Sequence, residues 1–219
     1  MLRICLIGPG SFNFHFQDIL GISKEKFDGE IDKIANVLSN SGFEVVLSPS
    51  EGVSFEVAKK VKEKNGKIIG VAPLSDKYPG VGHLQSFIDF EVKGKKLFSE
   101  MIDSGDWPAH NLRLALFGDC LLFLGKSPGS SGELNFGFYM YKIIKGMKPS
   151  INQSIEKIHK KARAGVNIDY HVFVYTKFLK DGKLGEEEEA YAKKFGIKIV
   201  YVKNAEELEK GLRELEQNL

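Results

Sequence analysis

Cysteine is scarce: 219 residues contain two, Cys5 and Cys120. Each sits inside an apolar run that reads as a strand. Both are therefore expected as small buried hydrophobes, and neither a disulfide scaffold nor a thiolate metal site is expected. A reducing cytoplasm is the simplest setting for such a chain. An excess of either charge is lacking too, since 31 Lys and Arg face 29 Asp and Glu for a net charge of +2. Duplex nucleic acid is disfavoured as a partner, because no surface-wide basic field exists to hold it and only a local basic groove would remain.

Long apolar runs are missing as well. Leu2 to Ile7 is too short for a secretory signal core and is closed by Gly8-Pro9-Gly10, and no other run approaches spanning length. The chain is expected to be soluble, unprocessed and without a membrane partner. Its histidines, at 15, 83, 110, 159 and 171, show no metal-ligand spacing with one another, with Cys or with carboxylates, so no metal is expected. His159 and His171 read as structural. A Gly-x-Ser-x-Gly elbow, the Walker lysine pattern and the full dinucleotide glycine spacing are all absent. Standard nucleotide hydrolysis and hydride transfer are thereby disfavoured, and no cofactor is expected.

What is present alternates between strand-like and helix-like segments. Arg3 to Ile7 is a nearly continuous apolar run that ends in Gly-Pro-Gly-Ser, as a strand buried on both faces does. Ile31, Ile34, Ala35 and Leu38 have helical spacing and Gly42 stands as a helix-ending glycine. Phe43 to Leu47 is the next strand, Val53, Val57, Ala58 and Val61 mark a helix, and Gly66 ends it before the strand Lys67 to Val71. This β-α-β-α-β order with short connections predicts an α/β, Rossmann-like, mostly parallel sheet with helices on both faces, in one domain over 1–219.

Further along, Ser86 to Val92 reads as a strand, and a helix starting near Pro108 is expected to run to Phe117. Cys120 to Leu124 is a strand. Ser150 to Gln153 has capping-box form, leading a helical stripe through Ile151, Ile155, Ile158 and Ala162. Tyr170 to Tyr175 and Ile197 to Val202 are strands. Glu186 to Glu189 begins a helix, and Asn204 caps the last one. Ser11 to Gly29 is rich in Phe, which leaves a lid, an extra helix or a partner surface open.

Three small-residue loops follow strands: Gly8, Pro9, Gly10 and Ser11; Ser48 to Gly52, with Ser50 and Glu51; and Pro128 to Gly132, with Gly129, Ser130 and Ser131. In a parallel sheet such loops converge on one crevice, where backbone N–H groups and hydroxyls suit an anion such as a phosphate.

These segments resemble those of the Lonely Guy family and the related molybdenum-cofactor carrier-like proteins. Phe43 to Val53 with Gly66 to Pro73 is similar to the family's strand, glycine loop, helix and Gly-Val-x-Pro strand. Gly105 to Leu114 is similar to the segment that usually carries Arg-Asn or Arg-Lys. Gly118 to Leu124 resembles its Asp-Ala strand, and Pro128 to Phe136 its Pro-Gly-Gly-x-Gly-Thr-x-Glu-Glu signature. In that signature Ser130 replaces a glycine, Glu133 the threonine, and Asn135 and Phe136 the acidic pair, while His110 stands where the arginine is expected.

The resemblance implies a homodimer that holds a nucleotide or another small phosphorylated ligand. Gly8 to Ser11, Ser50 to Gly52, His110, Asn111, Arg113, Lys126 and Gly129 to Gly132 would bind it. It also implies release of a base from a nucleoside 5′-monophosphate. The loss of the signature carboxylates argues for binding without efficient turnover, with Glu133 as a displaced catalytic carboxylate in the alternative. Glu133 otherwise reads as a helix cap. Lys126, Arg113 or a protonated His110 would offset its charge.

Overall fold

The computed structural model describes residues 1–146, 163 and 169–219. Strands β1 (Arg3–Ile7), β2 (Glu44–Leu47), β3 (Lys67–Ala72), β6 (Glu100–Asp103), β7 (Cys120–Phe123), β8 (His171–Tyr175) and β9 (Lys198–Val202) form one sheet in the order β6-β3-β2-β1-β7-β8-β9. Every pairing in it is parallel. Beyond Arg3 and Glu44, which open β1 and β2, the central strands are apolar because both faces are covered, as their burial patterns show. One face packs on α1 (Lys24–Asn40), α2 (Val53–Glu63) and α7 (Ala205–Glu216) through residues such as Leu6, Leu38, Val57 and Leu212. The other packs on α4 (Trp107–Arg113), α5 (Pro128–Gly146) and α6 (Glu186–Phe195) through Cys5, Leu121, Leu134 and Ala192. The chain winds outward from β1 to β6, then crosses to β7 and winds the other way. The switch point therefore lies between β1 and β7.

At the opposite, N-terminal ends of the strands the charges are paired. Glu44, nearly buried, meets Arg3 at 2.8 Å and also Lys67, and Arg163 binds Asp119 at 2.8 Å. These partners hold the Glu44 carboxyl below its usual range despite its burial.

Several expectations are corrected. Ser86 to Val92 is not a strand: α3 (Gln85–Ile88) is followed by β4 (Glu91–Val92), which pairs with β5 (Lys95–Lys96) in a small antiparallel ribbon. Lys93 and Gly94 turn that ribbon with positive φ. The edge strand β6 gave no warning in the sequence because its alternation is short and half-exposed. The helix from Pro108 does not reach Phe117. It stops at Arg113 and tightens into a 3₁₀ turn over Leu114–Phe117. After α2 the left-handed residue is Asn65 (φ 64°), not Gly66, whose missing side chain instead lets it lie against Val61.

The Phe-rich segment is an extra helix with π geometry over Phe12–Ile19. Phe16 and Phe27 are fully buried and pack against Phe178, Phe16 edge-on, while Phe14 stays 65% exposed, so most of the segment's rings serve the core. The stripe at 150–162, with His159, lies outside the described residues. Among the described residues no helix is long and apolar enough to cross a membrane, and no cluster of His, Cys, Asp or Glu could hold a metal ion.

Candidate functional site

The loops after β1, β2 and β7 meet at Pro9. Gly52 has φ 137°, and a Cβ built on it would lie 2.5 Å from the Pro9 carbonyl oxygen and 2.8 Å from the Gly10 Cα. Only glycine allows that approach. The Val53 amide donates to the Pro9 carbonyl at 3.0 Å, which locks the second loop onto the first. From the other side Gly125 (φ 127°) brings the third loop to within 3.1 Å of the Pro9 ring, measured from the same kind of built Cβ. The predicted convergence is thus present, with Gly10, Ser11 and Glu51 exposed and Ser50 half-buried around it.

The third loop differs from its expected form. Pro128 to Gly132 is not a loop but the first turn of α5, so Gly129 and Gly132 are helical and neither has positive φ. The turn itself is Leu124 to Ser127. Ser127 caps the helix, its Oγ accepting from the Ser130 amide at 3.1 Å, while the Ser131 amide donates to the Ser127 carbonyl at 2.9 Å. Ser130 is buried, its Oγ accepting from the Ser127 amide and donating to the Gly125 carbonyl at 2.9 Å. With proline at the first position, the start of α5 is largely satisfied by its own residues.

The start of α2 is open instead. Gly52 supplies no capping side chain, and the amides of Ser54 and Phe55 have no partner among the described residues. These two donors stand beside Gly10 at the positive end of an 11-residue helix, which makes α2 the better-placed anion cradle of the two. Sequence reasoning included Ser50, Glu51 and Gly52 but missed Ser54 and Phe55. The signal was the glycine in the N-cap place, which leaves amides unpaired.

Glu133 is the unusual group. The 3₁₀ turn after α4 packs closely on α5, since a Cβ on Gly137 would lie 2.7 Å from that of Ala115. Glu133 lies one turn before Gly137 on α5. It caps nothing and, among the described residues, makes no hydrogen bond or ion pair. The side chain is half-buried, yet the protein around its carboxyl is dense enough that desolvation pushes it up to about 7. The same carboxylate, after burial itself, raises the Cys5 thiol in β1. Glu133 therefore lies near β1 on the face covered by α5, able to exchange a proton near neutrality.

Of its three expected counter-charges, His110 is uncharged, Lys126 is paired with a carboxylate and Arg113 is held on a backbone carbonyl. His110 is buried and its Nδ1 shares a 2.9 Å hydrogen bond with the Ser104 hydroxyl; burial lowers it to about 4, so it is neutral, not the protonated group expected. Arg113 donates to the Ser104 carbonyl at 3.3 Å. Lys126 is paired at 2.6 Å with Glu188, which also accepts the Gly185 amide. Asn111 is exposed on α4. At the signature's acidic positions Asn135 donates to the Ser131 carbonyl and Phe136 is exposed to solvent. Beside this crevice, at the switch point, opens a cavity of about 440 Å³ whose lining includes His15, Lys126, Leu179, Lys183 and Gly185.

No protein-family model matches the chain, and no curated protein does. Solved structures do. The molybdenum cofactor carrier protein from Chlamydomonas reinhardtii aligns with a TM-score of 0.55 at 16% identity, over 100% of this chain and 99% of that one. The molybdenum cofactor binding protein from the phototrophic bacterium Rippkaea orientalis gives 0.54 at 13% identity, over 98% and 97%. The chain has the fold of the molybdenum cofactor carrier proteins. A further structure of the same fold, that of TM1055, gives 0.53 at 18% identity, over 99% of each chain. The fold that the sequence predicted is thus matched over the whole length of these chains. At these identities the fold is what is shared, and the site is argued from this chain's own residues.

Proposed function

We propose that this protein binds a small phosphorylated ligand, a nucleotide in the first instance, in the crevice where the loops after β1, β2 and β7 meet. The observation that carries this reading is the open start of α2 packed against the Pro9 turn, with two unpaired amides facing the same space as Gly10. The motif resemblance supports this ligand class, and solved structures of the same fold include proteins described as carrying or binding the molybdenum cofactor, which supports a small-ligand site. The lack of a carboxylate at Asn135 and Phe136 supports binding without efficient turnover. A screen of nucleoside monophosphates and phosphoribosyl compounds by thermal shift and calorimetry is expected to find a binder. At about a hundredfold excess over Kd the ligand would add roughly 2.7 kcal/mol of stability. If no member binds even at millimolar concentration, the reading fails.

One observation favours a second reading. An unpaired, desolvated carboxyl near neutrality is what general acid–base chemistry requires, and Glu133 provides one. Acting on a nucleoside 5′-monophosphate, it would protonate the departing base or take a proton from water, with cleavage of the N-glycosidic bond. Release of free base by the wild type, reduced at least about a hundredfold in Glu133→Ala, is the expected result under this reading. Unchanged turnover in that variant would remove Glu133 from the mechanism.

A further inference from the structure

Away from the α2 cradle, one buried side chain keeps a free polar atom. His15 is 6% exposed, and its imidazole packs edge-on against Phe16. Its Nε2 lies 3.2 Å from the Phe178 carbonyl oxygen, which only accepts, so Nε2 carries the proton and donates. Burial lowers the ring's affinity for a second proton, which leaves Nδ1 a bare acceptor. No described residue bonds to Nδ1. It is not sealed off either, because the unpaired side-chain atoms shut away from solvent among the described residues belong to Ser41 and Ser54. A buried histidine with an open lone pair is a group that a ligand completes.

His15 lines the cavity of about 440 Å³ beside the switch point. On its own side the Leu20 amide donates to the His15 carbonyl at 3.2 Å, a bond of five-residue span, so the π geometry brings His15, Ile19 and Leu20 to one wall. The facing wall has buried Leu179 and Leu184, and the Tyr201 hydroxyl accepts the Leu184 amide at 3.1 Å. Between them the Gly182 amide donates to the Leu179 carbonyl at 3.1 Å, closing a turn with Lys180 and Asp181 at its corner. Lys180, Asp181, Lys183 and Glu186 form an exposed rim, and none of these four side chains is paired among the described residues. Lys126, the remaining cation of the lining, is already held by Glu188.

The rim thus offers two free cations and two free anions over an aliphatic floor. A ligand of one sign would meet opposition from half of that set, whereas a zwitterion matches all of it. The volume falls in the range of about 300–1,000 Å³ common to small-molecule sites. We propose that this cavity is a site for a free aliphatic α-amino acid. The ammonium group donates to His15 Nδ1 and faces Asp181 and Glu186, and the carboxylate meets Lys180 and Lys183. The side chain lies on Leu20, Leu179 and Leu184. This site is separate from the phosphate crevice and does not depend on that reading.

Calorimetric titration of the full chain with leucine, leucinamide, isocaproate and glycine tests it, since the last three lack the carboxylate, the ammonium group and the side chain in turn. Leucine is expected to bind at least about tenfold more tightly than each of the others. The double variant Lys180→Ala, Lys183→Ala, changed only at exposed positions, should weaken leucine binding at least about tenfold and bring it level with leucinamide. His15→Phe keeps the ring and removes Nδ1, and when folded by circular dichroism it should lose leucine binding as well. If His15→Phe does not fold, the lysine variant decides alone. No leucine binding at millimolar concentration overturns the proposal. So does equal affinity for leucine and leucinamide or isocaproate, or wild-type leucine affinity in the lysine variant.

Discussion

Gly52→Ala is expected to destabilise the protein by about 3 kcal/mol and to lower its melting temperature by roughly 10 °C. Two costs combine. The backbone at Gly52, φ 137° and ψ −176°, lies in a region that L-residues essentially do not occupy. The added Cβ would also meet backbone, the Pro9 carbonyl and the Gly10 Cα, at distances no side-chain rotation can relieve. Relief requires the β1 and β2 loops to part, which opens the α2 cradle. Ligand binding should therefore weaken together with stability. Gly29→Ala is the matched control: Gly29 lies within α1, nothing stands within 4 Å of its built Cβ, and alanine there should be neutral or stabilising by up to about 1 kcal/mol. Thermal melts of the two variants followed by circular dichroism decide the matter, and equal melting temperatures would contradict the packed turn.

The second large effect concerns Glu133 and pH. Its folded-state carboxyl is raised from 4.5 to about 7, so between those values the folded protein holds a proton that the unfolded chain has released. Stability then falls as pH rises through that window, and above about 7 the full cost of an unpaired desolvated carboxylate is present, roughly 3 kcal/mol at most. Glu133→Gln keeps the shape and removes the charge. It is expected to be more stable than the wild type at pH 8, by roughly 2 kcal/mol, and to match it near pH 4.5. Urea unfolding of both proteins from pH 4.5 to 8 measures the difference. If the two curves stay parallel, the carboxyl is solvated and its candidacy as a proton-transfer group ends.

A charged residue kept at such a cost, with its cap role taken by Ser127, points to use rather than packing. A protonated Glu133 could also donate to a ligand anion, whereas the ionised form would repel it. Binding of a phosphate near this helix start should then be accompanied by proton uptake.

The corrections share a pattern. Ser86 to Val92 looked like a strand because Phe, Ile and Val alternate there, yet Phe87 packs on Phe55 from a short helix and only Val92 enters the core from this run. Periodicity over seven residues does not separate those outcomes. Gly129 and Gly132 suggested a loop, since glycine is the residue of loops, but they continue a helix whose start is set by Ser127 and Pro128. His110 invited a positive charge by position alone, and its burial removes it. Lys126 looked available until Glu188, 62 residues away, took it.

The sequence by itself determined the class of fold and the turns after β1 and β2, and it placed the turn after β7 a few residues late. Those features are local: apolar runs of strand length, helical spacing between them, and glycines where the chain must turn. Only the tertiary structure decided which helix start is open, which cations are already paired, and that a lone carboxyl sits desolvated near β1. Burial and long-range pairing control those properties, and they depend on neighbours brought together from distant parts of the chain. Gly52 and Glu133 mark the two cases. The first is a turn glycine whose necessity comes from Pro9, and the second an ordinary acidic residue made unusual by the burial of its carboxyl.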